Sequence, residues 1–202
     1  MKIITISREF GSGGRELGKR LADTLKLPCY DQAIIDMVAK QQGLDPLKIN
    51  HISDADISTY YPLTIGRRFA APPPSMAQPL KMAVAQQMII RNLAKQGDCV
   101  IVGRCAGVIL RELNPLNLFV YADQKFKLQR CVTRAPIGEN LSPLEITHRM
   151  QQIDKGRAAY RELFADAKWG CKEAYHLCIN TTGREIKSLI PALAEYANCW
   201  FQ

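Results

Sequence analysis

The chain has 202 residues, of which 47% are hydrophobic and 23% are charged, and its formal net charge is +8 at pH 7. This size suits one well-buried domain, and the composition excludes an intrinsically disordered chain. No apolar run approaches the ~20 residues of a membrane-spanning helix, and the first residues lack the apolar stretch of a secretory signal. We therefore predict a cytoplasmic protein that does not bind membranes.

The cysteines and the positive charge narrow the class of partner. The seven cysteines include no Cys-x-x-Cys pair, and the three histidines lie far apart along the chain, so neither a disulfide framework nor a protein-held metal site is predicted. The excess of basic residues favours an anionic partner. Because these residues are spread along predicted helices without interleaved aromatic residues, phosphate-bearing small molecules are favoured over nucleic acid.

Five short apolar runs predict buried strands, and segments with helical spacing separate them. Runs of this length that end in turn residues are typical of parallel strands covered on both faces. The predicted strands are 2–7, 28–30, 98–102, 117–121 and 175–180. The predicted helices are one that begins near Arg15, followed by 32–42, 78–96, 124–134, 142–167 and 184–197. This alternation predicts a single domain, 1–202, with a parallel sheet between two layers of helices.

The segment 60–79 departs from this alternation because it carries five prolines, at positions 62, 72, 73, 74 and 79. Proline lacks the amide that a strand ladder or a helix interior needs, so a proline-rich run is typical of a loop. We expect this loop to lie over one end of the sheet.

The turn after the first strand is rich in glycine, with three glycines in four residues. A strand, a glycine-rich turn and a helix start together aim backbone N–H groups at a phosphate, whereas the alternative is an ordinary flexible turn. Glycines suit the first role because a Cβ would block close approach of the backbone. The predicted phosphate-binding residues are Gly11, Ser12, Gly13, Gly14, Arg15 and Glu16.

This loop departs from the Walker pattern G-x-x-x-x-G-K-[ST]. When the strand ends are aligned, Gly14 falls where that pattern has its lysine. Arg15 is the best substitute, because a guanidinium can bind phosphate through two hydrogen bonds. We expect ATP as the phosphoryl donor, with Mg²⁺ held mainly by the phosphates and by water.

Several segments of the chain resemble the cytidylate-kinase-like family of P-loop kinases. They are the run ISREFGSGGRELG from Ile6 to Gly18, Val102–Arg104, Asp154–Tyr160, Trp169 and Tyr175–Thr181. The resemblance spans essentially the whole chain. It implies a three-layer α/β/α P-loop kinase fold with a five-stranded parallel sheet in the order 2-3-1-4-5. It also implies an acceptor-binding excursion at 44–80 and a lid at 135–170.

The resemblance implies an activity as well. The γ-phosphoryl group of ATP would pass to a nucleoside monophosphate-like acceptor, with CMP or dCMP as the first candidates. True cytidylate kinases have a serine and then an arginine where this chain has Gln32 and Met37, which leaves the acceptor open. The alternatives are a kinase with a non-nucleotide acceptor, and a non-catalytic nucleotide-binding regulatory protein with a degenerate loop. A monomer or a homodimer is expected.

Two residues at strand ends are candidates for the acceptor site. The resemblance assigns Arg104, directly after the third strand, to the acceptor phosphate. This position agrees with the placement of ligands at the carboxyl ends of strands in open α/β sheets. Asp31 follows the second strand and is expected to face the same cleft, although it is equally suited to cap the next helix.

The remaining candidates lie on basic helices and after the last strand. By resemblance, Arg134 and Arg157 are expected to bring positive charge to the transferring phosphoryl group, where neutralisation of charge provides most of the catalysis. Asn180 and Thr181 resemble the loop that lies on the adenine side in this family. With Arg15, the two helix arginines make up the predicted catalytic set.

Overall fold

The computed structural model describes residues 1–31, 37, 74–134, 141–162 and 164–202. The helix expected at 32–42, apart from residue 37, lies outside the described residues. So do most of the excursion 44–80 and residues 135–140 of the expected lid.

The described strands follow the sequence prediction closely. They are β1 Ile3–Arg8, β2 Cys29–Tyr30, β3 Cys99–Val102, β4 Leu116–Tyr121 and β5 Leu177–Asn180. All pair in parallel, in the order β2-β3-β1-β4-β5, which confirms the expected topology. The central strand β1 pairs with β3 on one side and β4 on the other, so the loop that follows β1 leaves the middle of the sheet.

The described part of the chain contains six α-helices, the last of which follows β5. They are α1 Gly14–Leu25, α2 Pro74–Lys95, α3 Ala106–Ile109, α4 Gln124–Thr133, α5 Pro143–Glu162 and α6 Ile186–Trp200. Short 3-10 helices occupy Arg111–Leu113 and Lys172–Ala174. Within the described residues, no helix combines the length and the apolar character needed to cross a bilayer.

Helices cover both faces of the sheet, which gives the predicted three layers. Successive side chains of a strand point to opposite faces. Ile4 and Ile6 of β1 therefore pack in the cluster formed with α1 and α6, whereas Ile3 packs in the cluster formed with α2 and α3. Because both faces are buried, the strands are almost continuously apolar, and this is why they were recognisable in the sequence.

Two predicted helix boundaries are wrong. Helix α2 begins at Pro74, so the loop expected at 60–79 is wrong for its last six residues. Pro74 takes the first position of the helix, where proline is accepted without losing a hydrogen bond. Helix α5 ends at Glu162 rather than at 167. There Arg161, which is only 6% exposed, donates from Nε to the carbonyl of Ala167 at 3.1 Å and draws the chain back towards the helix.

Gly18 sets the distance between α1 and the sheet. A Cβ at this position would lie 2.6 Å from Val102 Cγ2 and 3.0 Å from Ile6 Cδ1. We predict that Gly18→Ala lowers the free energy of unfolding by about 1–3 kcal/mol, because α1 must move away from β1 and β3. Lys19→Ala, at an exposed position of the same helix, should change it by less than about 0.5 kcal/mol. Urea denaturation measures both variants, and wild-type stability of Gly18→Ala would contradict this explanation.

Candidate functional site

The glycine loop connects β1 with α1, and its backbone turns at two glycines. Gly11 has φ +74°, and Gly13, which caps α1, has φ +85°, a conformation that glycine adopts without steric cost. The carbonyl of Gly13 accepts a hydrogen bond from the Leu17 amide at 2.9 Å. The amides of residues 14–16 therefore precede the helical ladder and lie at the positive end of the helix dipole. Anions bind at helix starts of this form.

The carbonyl groups of the loop are bonded to side chains from other elements. Thr181 Oγ1 donates to the Ser12 carbonyl at 2.7 Å, and Arg130 Nη1 donates to the Gly11 carbonyl at 2.9 Å. Ser12 is fully buried, and both its Oγ and its amide donate to the Glu9 carbonyl, at 2.8 and 3.3 Å. The structure thus gives Ser12 a supporting role within the loop. The carbonyls of Gly11 and Ser12 therefore face donors from the protein.

Arg130 is a site residue that the sequence analysis did not select. Its guanidinium reaches from α4 to the loop, and it also donates to the Thr181 carbonyl at 3.4 Å. Burial, together with the nearby charge of Arg134, lowers the pKa of Arg130. The signal available in the sequence was its position one helical turn before Arg134, which is equally common on a solvent-exposed face.

Asn180 and Thr181, predicted on the adenine side, differ in exposure. Thr181 is fully buried, and its hydroxyl is bonded to the loop. Asn180 is exposed at the end of β5, and its Oδ1 accepts a hydrogen bond from the Thr182 amide at 3.0 Å. Thr181 therefore fixes the loop, whereas the contact of Asn180 with a nucleotide stays a prediction.

The segment just before the glycines is held by charged side chains that the sequence analysis did not assign. On α5, Asp154 Oδ1 accepts a hydrogen bond from the Phe10 amide at 2.7 Å. On α4, Lys127 Nζ donates to Glu9 Oε2 at 2.9 Å, although Lys127 is only 8% exposed. Burial raises the pKa of Asp154, against the opposing effect of Arg157. Spacing along the chain could not show that these groups meet, since they belong to three separate elements.

Arg157, predicted to be a catalytic lid arginine, contacts the chain where β1 passes into the loop. Its Nη1 donates to the Arg8 carbonyl at 3.0 Å and to Asp154 Oδ1 at 3.1 Å. Its guanidinium lies 5.8 Å from the centre of the Phe10 ring, and its side chain is 14% exposed. These contacts make Arg157 a support of the loop, and its contact with a transferring phosphoryl group stays a prediction.

Arg134 and Glu16, two more predicted residues, form an ion pair beside the first turn of α1. Glu16 also accepts a hydrogen bond from Arg20 Nε at 2.8 Å. Partial burial acts to raise the pKa of Glu16, but the hydrogen bonds from the two arginines outweigh it and lower the pKa. Arg134 is 55% exposed, and its contact with a transferring phosphoryl group stays a prediction.

Arg15 and Asp31, predicted for donor and acceptor respectively, contact each other. Arg15 Nε lies 2.6 Å from Asp31 Oδ2, and Arg8 Nη2 lies 3.9 Å from Asp31 Oδ1. Arg104 follows Gly103 in the turn after β3 and has φ +57°, which is uncommon for a residue with a side chain. The strands β2, β3 and β1 are parallel neighbours, so the residues at their carboxyl ends lie at the same end of the sheet.

Comparison with known proteins identifies the family. Residues 3–183 match the model of the cytidylate kinase-like family. The chain belongs to this family. No curated protein matches the sequence.

Several solved structures share the fold of this chain. An uncharacterized protein from Eubacterium ventriosum ATCC 27560 is 26% identical, with a TM-score of 0.71 over 98% of this chain and 99% of that one. The shikimate kinase of Bacteroides thetaiotaomicron is 15% identical, with a TM-score of 0.57 over 98% of both chains. A gluconokinase from Sinorhizobium meliloti 1021 is 16% identical, with a TM-score of 0.53 over 100% of this chain and 97% of that one. The fold is the P-loop kinase fold.

In this cytidylate kinase-like protein, Thr181→Val removes the hydroxyl that supports the loop while keeping the side-chain volume. We expect the free energy of unfolding to fall by about 1–3 kcal/mol, because the buried Ser12 carbonyl loses a donor. Thr24→Val, at an exposed position of α1, is the matched control and should cost less than about 0.5 kcal/mol. Urea denaturation compares the two, and equal small losses would show that the Thr181 bond does not stabilise the loop.

Proposed function

We propose that this protein transfers the γ-phosphoryl group of ATP to a small acceptor in the cytoplasm, with a nucleoside monophosphate such as CMP or dCMP as the first candidate. The observation that carries the proposal is the loop between β1 and α1. Its carbonyls are bonded to Arg130 and Thr181, and its first-turn amides precede the helical ladder. Phosphoryl transfer needs little covalent help from a protein, so a fixed anion cradle flanked by arginines supplies the main requirement.

On the donor side, the amides of residues 13–16 would bind the ATP phosphates. Arg15 and Arg134 flank these amides and are 70% and 55% exposed, so either side chain can turn towards a phosphate. Both are paired with carboxylates, Asp31 and Glu16, that a more highly charged phosphate would replace. Asn180 would lie on the side of the base.

The described side chains fit a Mg²⁺ ion that is held by the donor phosphates and water. Among these residues, no group of three or more His, Cys, Asp or Glu side chains is arranged to hold a metal. Near the loop, Glu16 and Asp31 are bonded to arginines, and the Ser12 hydroxyl is bonded to Glu9. When bound, Mg²⁺ would neutralise charge on the transferring phosphoryl group.

On the acceptor side, Asp31 and Arg104 mark the carboxyl ends of β2 and β3. This edge of the sheet is where open α/β folds bind ligands. Gln32 and Met37 replace the serine and arginine of true cytidylate kinases, which favours the second candidate, a kinase with a non-nucleotide acceptor. The third candidate, a non-catalytic nucleotide sensor, is favoured by Gly14 in the position of the Walker lysine.

A product-resolved assay with ATP and Mg²⁺ tests these candidates. CMP, dCMP and UMP come first, followed by hydroxylated carboxylates such as shikimate and gluconate. Transfer to a monophosphate supports the first proposal, and transfer to a carboxylate alone supports the second. Binding of ATP without transfer to any acceptor would support the sensor.

Arg15→Ala tests the donor site. We expect ATP to bind about tenfold more weakly, because a charge-assisted hydrogen bond to phosphate is lost. The melting temperature should change little, since the side chain is 70% exposed. Lys19→Ala, on the next turn of α1, is the control for loss of positive charge. Calorimetric titration with ATP decides the matter: wild-type affinity in Arg15→Ala would remove Arg15 from the donor site.

Arg157→Ala separates catalysis from support of the loop. We expect kcat to fall by at least about tenfold. The melting temperature should also fall, because Asp154 is left partly buried without its ion-pair partner. Rates measured well below the melting temperature isolate the catalytic effect. A lowered melting temperature with wild-type kcat would show that Arg157 only supports the loop.

A further inference from the structure

Arg8 is the last residue of β1, and its side chain crosses the carboxyl edge of the sheet. A Cβ added to Gly14 would lie 2.5 Å from Arg8 Cβ, and a Cβ added to Gly103 would lie 1.8 Å from Arg8 Nη1. Two glycines on different elements therefore make room for this one side chain. Its guanidinium lies against the turn after β3, and the side chain is 16% exposed.

The turn beneath this guanidinium has an unusual backbone. Gly103, Arg104 and Cys105 have φ values of +84°, +57° and +52°, so two consecutive residues with side chains adopt the left-handed conformation. This conformation is sterically unfavourable for a residue with a Cβ. Residues held in this way cluster at sites where ligands are clamped.

Asp31 lies between two arginines at the same edge. Its Oδ2 is 2.6 Å from Arg15 Nε, which is hydrogen-bonding distance, whereas its Oδ1 is 3.9 Å from Arg8 Nη2. At the longer distance the attraction is electrostatic without a hydrogen bond. A ligand anion that makes direct hydrogen bonds to Arg8 would therefore be held more strongly than Asp31 Oδ1 is.

We propose that Arg8 binds an anionic group of the acceptor, and that Asp31 is an internal counter-ion which this group displaces from Arg8. The inference rests on the proposed phosphotransfer and names the class of acceptor: a small hydroxylated molecule that carries its own phosphate or carboxylate. The Arg8 carbonyl accepts a hydrogen bond from Arg157 Nη1 at 3.0 Å, and the aliphatic part of the Arg8 side chain packs against Gly14. The Arg8 guanidinium is therefore positioned before the ligand arrives. Because Arg8 directly precedes the loop, an acceptor bound there lies beside the donor phosphates.

Calorimetric titration with matched pairs of probes tests the proposal. CMP is compared with cytidine, and shikimate with its methyl ester, so that each pair differs by one anionic group. The titrations are run with and without a non-hydrolysable ATP analogue and Mg²⁺, which fill the donor loop. The variants are Arg8→Gln, Arg8→Lys and Asp31→Asn. The control is Arg111→Gln, which changes an exposed arginine before β4, at the end of the sheet opposite the carboxyl ends of the strands.

We expect the wild type to prefer the anionic member of at least one pair. Arg8→Gln should bind that anion about tenfold more weakly and change its affinity for the neutral counterpart by less than about twofold. Arg8→Lys should retain part of the preference, and Asp31→Asn should bind the anion more tightly. The pair that responds identifies the group as phosphate or carboxylate. Gly103→Ala, which forces the guanidinium aside, provides a second route to the same loss if Arg8→Gln does not fold.

Three outcomes would overturn the inference. They are no preference for an anion in the wild type, an unchanged preference in Arg8→Gln, and an equal loss in Arg111→Gln. Phosphotransfer by the wild type is assayed separately. Transfer without Arg8-dependent anion binding would overturn this inference alone, whereas Arg8-dependent binding without transfer to any acceptor would overturn the proposed function alone.

Discussion

The site depends on one constraint: the backbone carbonyls of the glycine loop, and that of Arg8 before it, must stay bonded to donors. A backbone carbonyl buried without a partner is costly, so each one that faces inward needs a donor from elsewhere. Arg157 supplies the donor for Arg8, Arg130 for Gly11 and Thr181 for Ser12. These donors belong to α5, α4 and the end of β5. The positions of three elements are therefore tied to the conformation of a few residues after β1.

This constraint divides the arginines into two groups. Arg130 and Arg157 are bonded to the backbone of the loop, and moving either would break those bonds. Arg15 and Arg134 are mostly exposed and are paired, among the described residues, with carboxylates. Exposed ion pairs of this kind contribute little to stability. The first group fixes the loop, and the second group is proposed to supply charge that responds to a phosphate. Catalysis of phosphoryl transfer draws on both.

The fold by itself does not select an acceptor. Kinases named for shikimate and for gluconate share this architecture at 15–16% identity, and one fold can carry different functional sites. In this chain the groups proposed to meet the acceptor lie near the carboxyl ends of β1, β2 and β3, where Asp31 lies between Arg8 and Arg15. A carboxylate flanked by two arginines suits an acceptor that brings its own negative charge, and this property distinguishes acceptors more finely than the family does.

The sequence by itself determined the layered architecture and the place of the loop. Strands buried on both faces are nearly continuous apolar runs, and three glycines in four residues after a strand indicate close backbone approach, so both signals are local. The ends of the helices were harder to predict. Helix α2 starts within a proline-rich run, and at the end of α5 the Arg161 side chain donates to the carbonyl of Ala167. Only the tertiary structure decided which charged residues meet. Glu9 pairs with Lys127, Asp154 binds the Phe10 amide and Arg8 lies against Gly103, each across long stretches of chain. The spacing of residues along the chain indicates the helix or strand to which a residue belongs, whereas the packing of the elements decides which residues it contacts.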